Sequence, residues 1–142
     1  MSERNPHRQT AMAWREEWTG KLSQSELLDV LERALDALWH RAHLSLGEVT
    51  LMAIVDRVLH QASEKYPHFA ALKVETSGVH LGALRESAPA LDVALLEESI
   101  VFLVAELLRV FGALTGEILT PGLHAELRKV KGRSTDEKGV KV

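Results

Sequence analysis

The stretch from residue 91 to residue 119, LDVALLEESIVFLVAELLRVFGALTGEIL, decides the fold. On a helical wheel at about 100° per residue, its apolar side chains spread over roughly 200°. The polar side chains share a narrow sector with Phe102, and Glu97 alone interrupts the apolar side. A helix that is apolar around so much of its circumference has to be covered by several neighbours. The stretch therefore predicts the core helix of a bundle, or part of a seam between two chains.

The composition is that of one globular domain with an ordinary hydrophobic core. Apolar residues make up 46% of the 142 residues and charged residues 26%. The chain has no cysteine, which excludes disulfides and thiolate chemistry, and its net charge of −3 argues against nucleic acid or an anionic membrane as a partner. No signal-peptide pattern opens the chain, and Glu106 and Arg109 interrupt the apolar stretch. We expect a cytoplasmic protein.

Two amphipathic helices precede the central one. Apolar residues recur at helical spacing from Leu27 to Ala42, and again from Leu51 to Ala62, before Tyr66 and a proline end the pattern. Two capping boxes with hydrophobic staples mark the starts: Ser23 with Glu26 beside Leu22 and Leu27, and Ser45 with Glu48 beside Leu44 and Val49. Because the connection is short, an antiparallel helix hairpin is predicted over about 24–65.

The chain before this hairpin carries two tryptophans on a possible short helix. Trp14 and Trp18 lie four residues apart and share a face of that helix. In one alternative the helix docks them into a groove of a partner, and in the other it folds back on its own domain. We predict a mobile N-terminal arm over 1–22, a single helical domain over 23–130 and a disordered tail over 131–142.

The segment over 69–84 differs from its helical surroundings. Short β-compatible runs flank Ser77-Gly78, which favours a small β-hairpin insert at about 70–82, and an irregular loop is the alternative. Gly112 and Gly116 either allow close helix approach or end the central helix, and a short closing helix follows Thr120. The predicted fold class is mainly α: a helical bundle built from the antiparallel hairpin and the long central helix.

The histidines supply the candidates for a ligand site. His40 and His43 lie three residues apart next to Trp39, and His60 is available on the antiparallel helix. The spacing is weaker than HExxH, so surface histidines near a helix end are the alternative and we expect neither metal nor cofactor. We expect three further histidines to be isolated: His68, His80 and His124.

Motifs for catalysis and for DNA recognition are absent. The sequence contains no nucleophile elbow, phosphate-binding loop or dinucleotide fingerprint, so an enzyme is not favoured. A helix-turn-helix would have only Arg57 and Lys65 as cations on its second helix. We interpret Glu98, Glu106 and Arg109 as an ion-paired stripe exposed to solvent. Glu97 on the apolar side has two alternatives: it lies near the helix start, where the helix dipole favours it, or it is a buried functional acid.

The functional hypothesis follows from how much of the central helix the other predicted helices can cover. The hairpin helices cover about half of the central helix, so its flank should need a second copy or a partner. We predict a small non-enzymatic regulatory or adaptor protein that acts through self-association, as a homodimer, and through contacts with another protein. The protein-binding candidates are Trp14, Trp18, Val101, Phe102, Val104 and Leu108. The alternative is a helical ligand-, metal- or haem-binding sensor with a pocket lined by Trp39, His40, His43 and His60.

Overall fold

The computed structural model describes residues 7–18 and 20–131, and this part of the chain is mainly helical. Its α-helices are α1 His7–Glu16, α2 Gln24–Leu46, α3 Glu48–Lys65, α4 Gly82–Ser87, α5 Val93–Leu114 and α6 Thr120–Arg128. The strands β1 Lys73–Glu75 and β2 Gly78–His80 form the insert, with 3-10 turns at Pro67–Ala71 and Ala88–Ala90. The predicted fold class, a helical bundle with a small β-hairpin, is confirmed. The predicted tail falls on residues outside those described, apart from Lys131.

The helix hairpin is formed by α2 and α3, and Gly47 alone joins them. The Ser23 capping box is present, with the side chain of Glu26 returning to the Ser23 backbone. The second box is wrong, because α2 continues through Ser45 and Gly47 takes the junction at a φ of 80°. A left-handed backbone is easy for glycine, which has no Cβ, so the chain reverses there without a serine cap. No staple forms.

The β-hairpin is antiparallel and lies on α2. Lys73 pairs with His80, so the two-residue loop is residues 76–77, one position before the predicted turn. A Cβ on Gly78 would lie 4.0 Å from the ring of Trp39. The helix supplies the apolar surface that two short strands need in order to be stable in water.

The central helix α5 begins at a side-chain cap and ends where the glycines occur. Asp92 accepts a hydrogen bond from the Leu95 amide at 3.0 Å, and the helix ends at Leu114, just beyond Gly112. Ser99 in α5 is buried, and its hydroxyl donates to the Leu96 carbonyl oxygen at 2.7 Å, which satisfies this polar group away from water. Among the described residues, no helix combines the length and apolarity needed to cross a membrane.

Two shorter helices complete the cover of the bundle. α6 packs against α2 in the antiparallel sense, with Gly122 beside the Arg41 guanidinium and Arg33 donating to the Lys131 carbonyl at 3.0 Å. α1 packs against α5 and α6. The Trp-bearing helix thus folds back on its own domain, the second alternative, while the domain boundaries at residues 22 and 130 stay predictions.

Candidate functional site

The candidate site is the face of α5 that α1 covers. Its residues follow helical spacing: Glu97, Val101, Val104 and Leu108. Arg15 at the end of α1 contacts Glu97 near the start of α5, whereas His7 at the beginning of α1 lies near Glu117, beyond the end of α5. The two helices are therefore antiparallel, and α1 extends along most of this face.

The expectation of an uncovered flank on α5 is wrong for the isolated chain. Val101, Val104 and Leu108 are 5%, 0% and 1% exposed. The helix α1 packs against α5, and Val101 lies beside Arg8, Met12 and Arg15 of α1. The role of Val101, Val104 and Leu108 in protein binding stays a prediction, and it now requires that α1 move.

The two tryptophans differ in how they are held. Trp14 is buried, and its indole N–H donates to the carbonyl oxygen of Val130 at 2.8 Å. Trp18 packs edge-to-face on Trp14 with ring centroids 5.1 Å apart. Among the residues that the structure describes, its buried indole nitrogen has no hydrogen-bond partner. A buried donor without an acceptor costs roughly 1–3 kcal/mol. Trp14 is an anchor of α1, whereas Trp18, two residues beyond the end of α1, has an unsatisfied donor.

An ion pair joins the end of α1 to the start of α5. The guanidinium Nη1 of Arg15 lies 2.9 Å from the carboxylate Oε2 of Glu97, and both side chains are partly exposed. This contact accounts for the one carboxylate on the apolar side of α5: Glu97 faces a cation from another helix. Partly exposed pairs contribute roughly 0–1 kcal/mol, so the pair sets the position of α1 more than it stabilises the fold.

A pair of histidines links the beginning of α1 to α6. Nδ1 of His7 lies 3.3 Å from Nε2 of His124, and Nε2 of His7 lies 3.7 Å from Glu117 Oε1. The hydroxyl of Thr120 donates to the same carboxylate oxygen. Burial lowers the pKa of His124, and the charges of His7 and Arg128 lower it further, against an opposing effect of Glu117. The hydrogen bond between the two rings requires one nitrogen without a proton, so full protonation breaks it.

Phe102 is half-buried and makes an aromatic contact just beyond the end of α3. Its ring centroid lies 5.4 Å from that of Tyr66, and the Lys65 ammonium lies 4.7 Å from the Phe102 centroid. The Tyr66 hydroxyl donates to Glu98 Oε2 at 2.7 Å; burial and this carboxylate raise the pKa of Tyr66 to about 12. Phe102 therefore packs within the chain rather than standing as a free anchor, and its role in protein binding stays a prediction.

The predicted ligand-binding residues occupy different environments. Trp39 is buried beneath the β-hairpin, whereas His40 and His43 are exposed on α2. His40 Nδ1 donates to the carbonyl oxygen of Asp36 at 2.9 Å, and the exposed His60 lies 3.9 Å from Glu64. Within the described residues, no group of three or more histidine, aspartate or glutamate side chains could hold a metal ion. Ligand binding at these four residues stays a prediction.

Three histidines make polar side-chain contacts that the sequence did not predict. His124 contacts His7, His68 lies 2.9 Å from the Ser99 hydroxyl oxygen, and His80 lies 2.9 Å from that of Ser77. The description of these histidines as isolated is wrong. A separation of 117 residues between His7 and His124 carries no periodic signal, so no sequence pattern could have found that pair.

Comparisons with protein-family models, with curated proteins and with solved structures found no match.

Proposed function

We propose that the chain is a small non-enzymatic regulatory protein of the cytoplasm that self-associates by exchange of α1 between two copies. The observation that carries the proposal is the contrast between the two helices. α5 has eleven buried residues, whereas α1 has only His7, Ala11 and Trp14. A ten-residue helix is marginal by itself in water, so α1 depends on the surface that it covers.

The exchange keeps every contact that α1 makes with α5 and α6. In a dimer the Arg15–Glu97 pair and the Trp14–Val130 hydrogen bond would join one copy to the other. Domain exchange of this kind has a low energetic cost because the same interface forms in both states. The interface would bury Val101, Val104 and Leu108 against the α1 of the second copy. This keeps the predicted homodimer while accounting for their burial in a single chain.

Another protein could occupy the same face. A partner that supplied an amphipathic helix would lie along the α5 groove in place of α1, with apolar anchors at helical spacing. Displacement of α1 would be required first, so the released helix with Trp14 and Trp18 would report binding. We regard this as the adaptor activity of the same surface.

Crosslinking between two differently tagged copies tests the exchange. Because the chain has no cysteine, one copy carrying Arg15→Cys and a second carrying Glu97→Cys can be joined only at these positions by a short bismaleimide. We expect a covalent heterodimer after the two are mixed at high micromolar concentration, and a dimer mass by light scattering for the unmodified chain.

The matched control pairs Arg15→Cys with Gln61→Cys, an exposed position on α3. This mixture should give no crosslink above background. A monomer mass at high micromolar concentration, with equal crosslinking in both mixtures, would contradict the exchange.

A further inference from the structure

A cavity lies beside the Arg15–Glu97 pair, where the chain leaves α1. Its volume is about 550 Å³, within the 300–1,000 Å³ that is typical of small-molecule sites. Its walls come from three parts of the chain: the end of α1, the connection to α2 and the start of α5. A second cavity of about 290 Å³ shares Arg15, Ala94 and Glu97 with it. The ion pair therefore borders both spaces.

The lining combines an apolar floor with an excess of positive charge. Leu22 and Leu27 are buried in the floor, and Trp18 and Val93 add apolar wall. The charged side chains are Arg15, Lys21 and Glu97. Since Glu97 already faces Arg15, one positive charge is left over. Lys21 is exposed and has no ion-pair partner among the residues that the structure describes. An apolar cavity with one uncompensated cation at its edge favours an amphipathic anion.

We propose that this cavity binds a small amphipathic carboxylate, such as a medium-chain fatty acid, with its carboxylate between Lys21 and Arg15. The apolar chain lies against Trp18 and Val93 above the leucine floor. A carboxylate accepts hydrogen bonds from both cations, and Arg15 has further N–H donors besides the one directed at Glu97. The proposal concerns the cavity of the single chain, where the end of α1 and the connection to α2 both line it, and it does not rest on α1 exchange.

The charge of the ligand decides specificity. A neutral amphiphile of the same length could bury the same apolar surface but would leave Lys21 without a counter-ion. A cationic amphiphile would be repelled by Lys21 and Arg15, with only the engaged Glu97 to attract it. The ranking carboxylate, then alcohol, then quaternary ammonium is the signature of this site. A surface that merely absorbs alkyl chains would give no such ranking.

Fluorescence titration of the full chain tests the proposal, because Trp18 lines the cavity. The probes are decanoate, decanol and decyltrimethylammonium, each kept below its micelle-forming concentration. We expect a saturable change in tryptophan emission with decanoate, and binding of the other two that is weaker by about tenfold or more in Kd. Lys21→Met should weaken decanoate binding by about fivefold, the size expected for one partly exposed ion pair.

Two tryptophan variants show where the signal arises. Trp18→Phe should remove most of the emission change, while calorimetry still detects decanoate. Trp39→Phe is the matched control and should keep the change, since Trp39 lies under the β-hairpin. The absence of saturable binding, equal affinity for the three probes, or an unchanged Kd in Lys21→Met would each overturn the proposal. Because these readouts do not involve oligomeric mass, they are independent of the crosslinking result.

Discussion

Trp14 and Trp18 show how far two equivalent residues of a sequence can diverge in a structure. Both occur in the same polar segment at helical spacing, and the pattern gives no reason to rank them. In the fold the indole N–H of Trp14 donates to the Val130 carbonyl, whereas that of Trp18 has no acceptor within residues 7–18 and 20–131. The difference arises from where the chain returns after α6, and local sequence does not contain that information.

This contrast predicts unequal costs for the same substitution. Trp14→Phe removes a buried hydrogen bond and leaves the Val130 carbonyl without its donor, which should lower the free energy of unfolding by about 1–3 kcal/mol. Trp18→Phe loses no hydrogen bond and removes a buried donor that lacks an acceptor, so its cost should be smaller. Urea unfolding of the two variants provides the measurement. An equal or larger loss for Trp18→Phe would contradict the assignment of Trp14 as the anchor.

The His7–His124 contact predicts a dependence of stability on pH. The pKa of His124 is lowered in the folded chain, so the unfolded chain binds more protons around and below the ordinary histidine pKa of about 6.5. The contribution of His124 to stability is therefore complete above that pH and is lost as the pH falls towards the lowered value. His124→Gln should reduce the loss of stability between pH 7.5 and pH 5.5.

Chemical unfolding at the two pH values measures this effect. Part of the acid-induced loss should remain in His124→Gln, because burial also lowers the pKa of His68. His60→Gln, on the exposed side of α3, is the control and should keep the full loss. The same loss in His124→Gln and in the unmodified chain would count against the histidine pair as its source.

At the scale of elements, two similar capping-box motifs have different outcomes, because one marks a helix start and the other does not. Both fit the same motif, with a glutamate three residues on, and only Ser23 acts as a cap. Ser45 lies inside α2 because Gly47 accepts the left-handed conformation and moves the junction by two residues. Leu44 and Val49, which would have formed the staple, are 80% and 81% exposed. The capping-box motif is compatible with a helix start at Ser45, but the glycine at residue 47 determines where the helix junction lies.

Alanine substitution of the two serines should distinguish them. Ser23→Ala removes a side-chain acceptor of the Glu26 amide and should cost about 1 kcal/mol of unfolding free energy. Ser45→Ala removes no cap and, since alanine is the better helix former, should be neutral or slightly stabilising. Thermal unfolding monitored by circular dichroism is sufficient for the comparison. Similar destabilisation by both would mean that the second box forms after all.

For the whole molecule, hydrophobic periodicity predicts the main helices but not how α1 packs on them. The helix hairpin and the central helix were predictable because one face of each is apolar at regular spacing. The α1 cover was not, since Ala11 and Trp14 make too short a stripe to outweigh the polar residues around them. The face of α5 with Val101, Val104 and Leu108 is apolar, as the sequence predicts, but it is buried rather than uncovered.

The unequal burial of α1 and α5 predicts that the fold opens in steps. Native-state hydrogen exchange should show α1 amides exchanging through a local opening of lower free energy than the opening that exposes α5. Arg15→Ala should lower the α1 opening energy by up to about 1 kcal/mol and leave the α5 amides nearly unchanged. Exchange of both helices only through global unfolding would contradict a displaceable α1.

Because α1 is synthesised first, it has to wait for the helices on which it packs. Its contacts join residues far apart in sequence, 82 positions for Arg15 with Glu97 and 116 for Trp14 with Val130. α1 therefore emerges before α2–α6 and has no surface to settle on until α5 and α6 have followed. During that interval Trp14 and Trp18 are open to chaperones and to a neighbouring nascent chain. On a polysome, where copies of α5 are already complete nearby, the first partner that α1 meets could belong to another molecule.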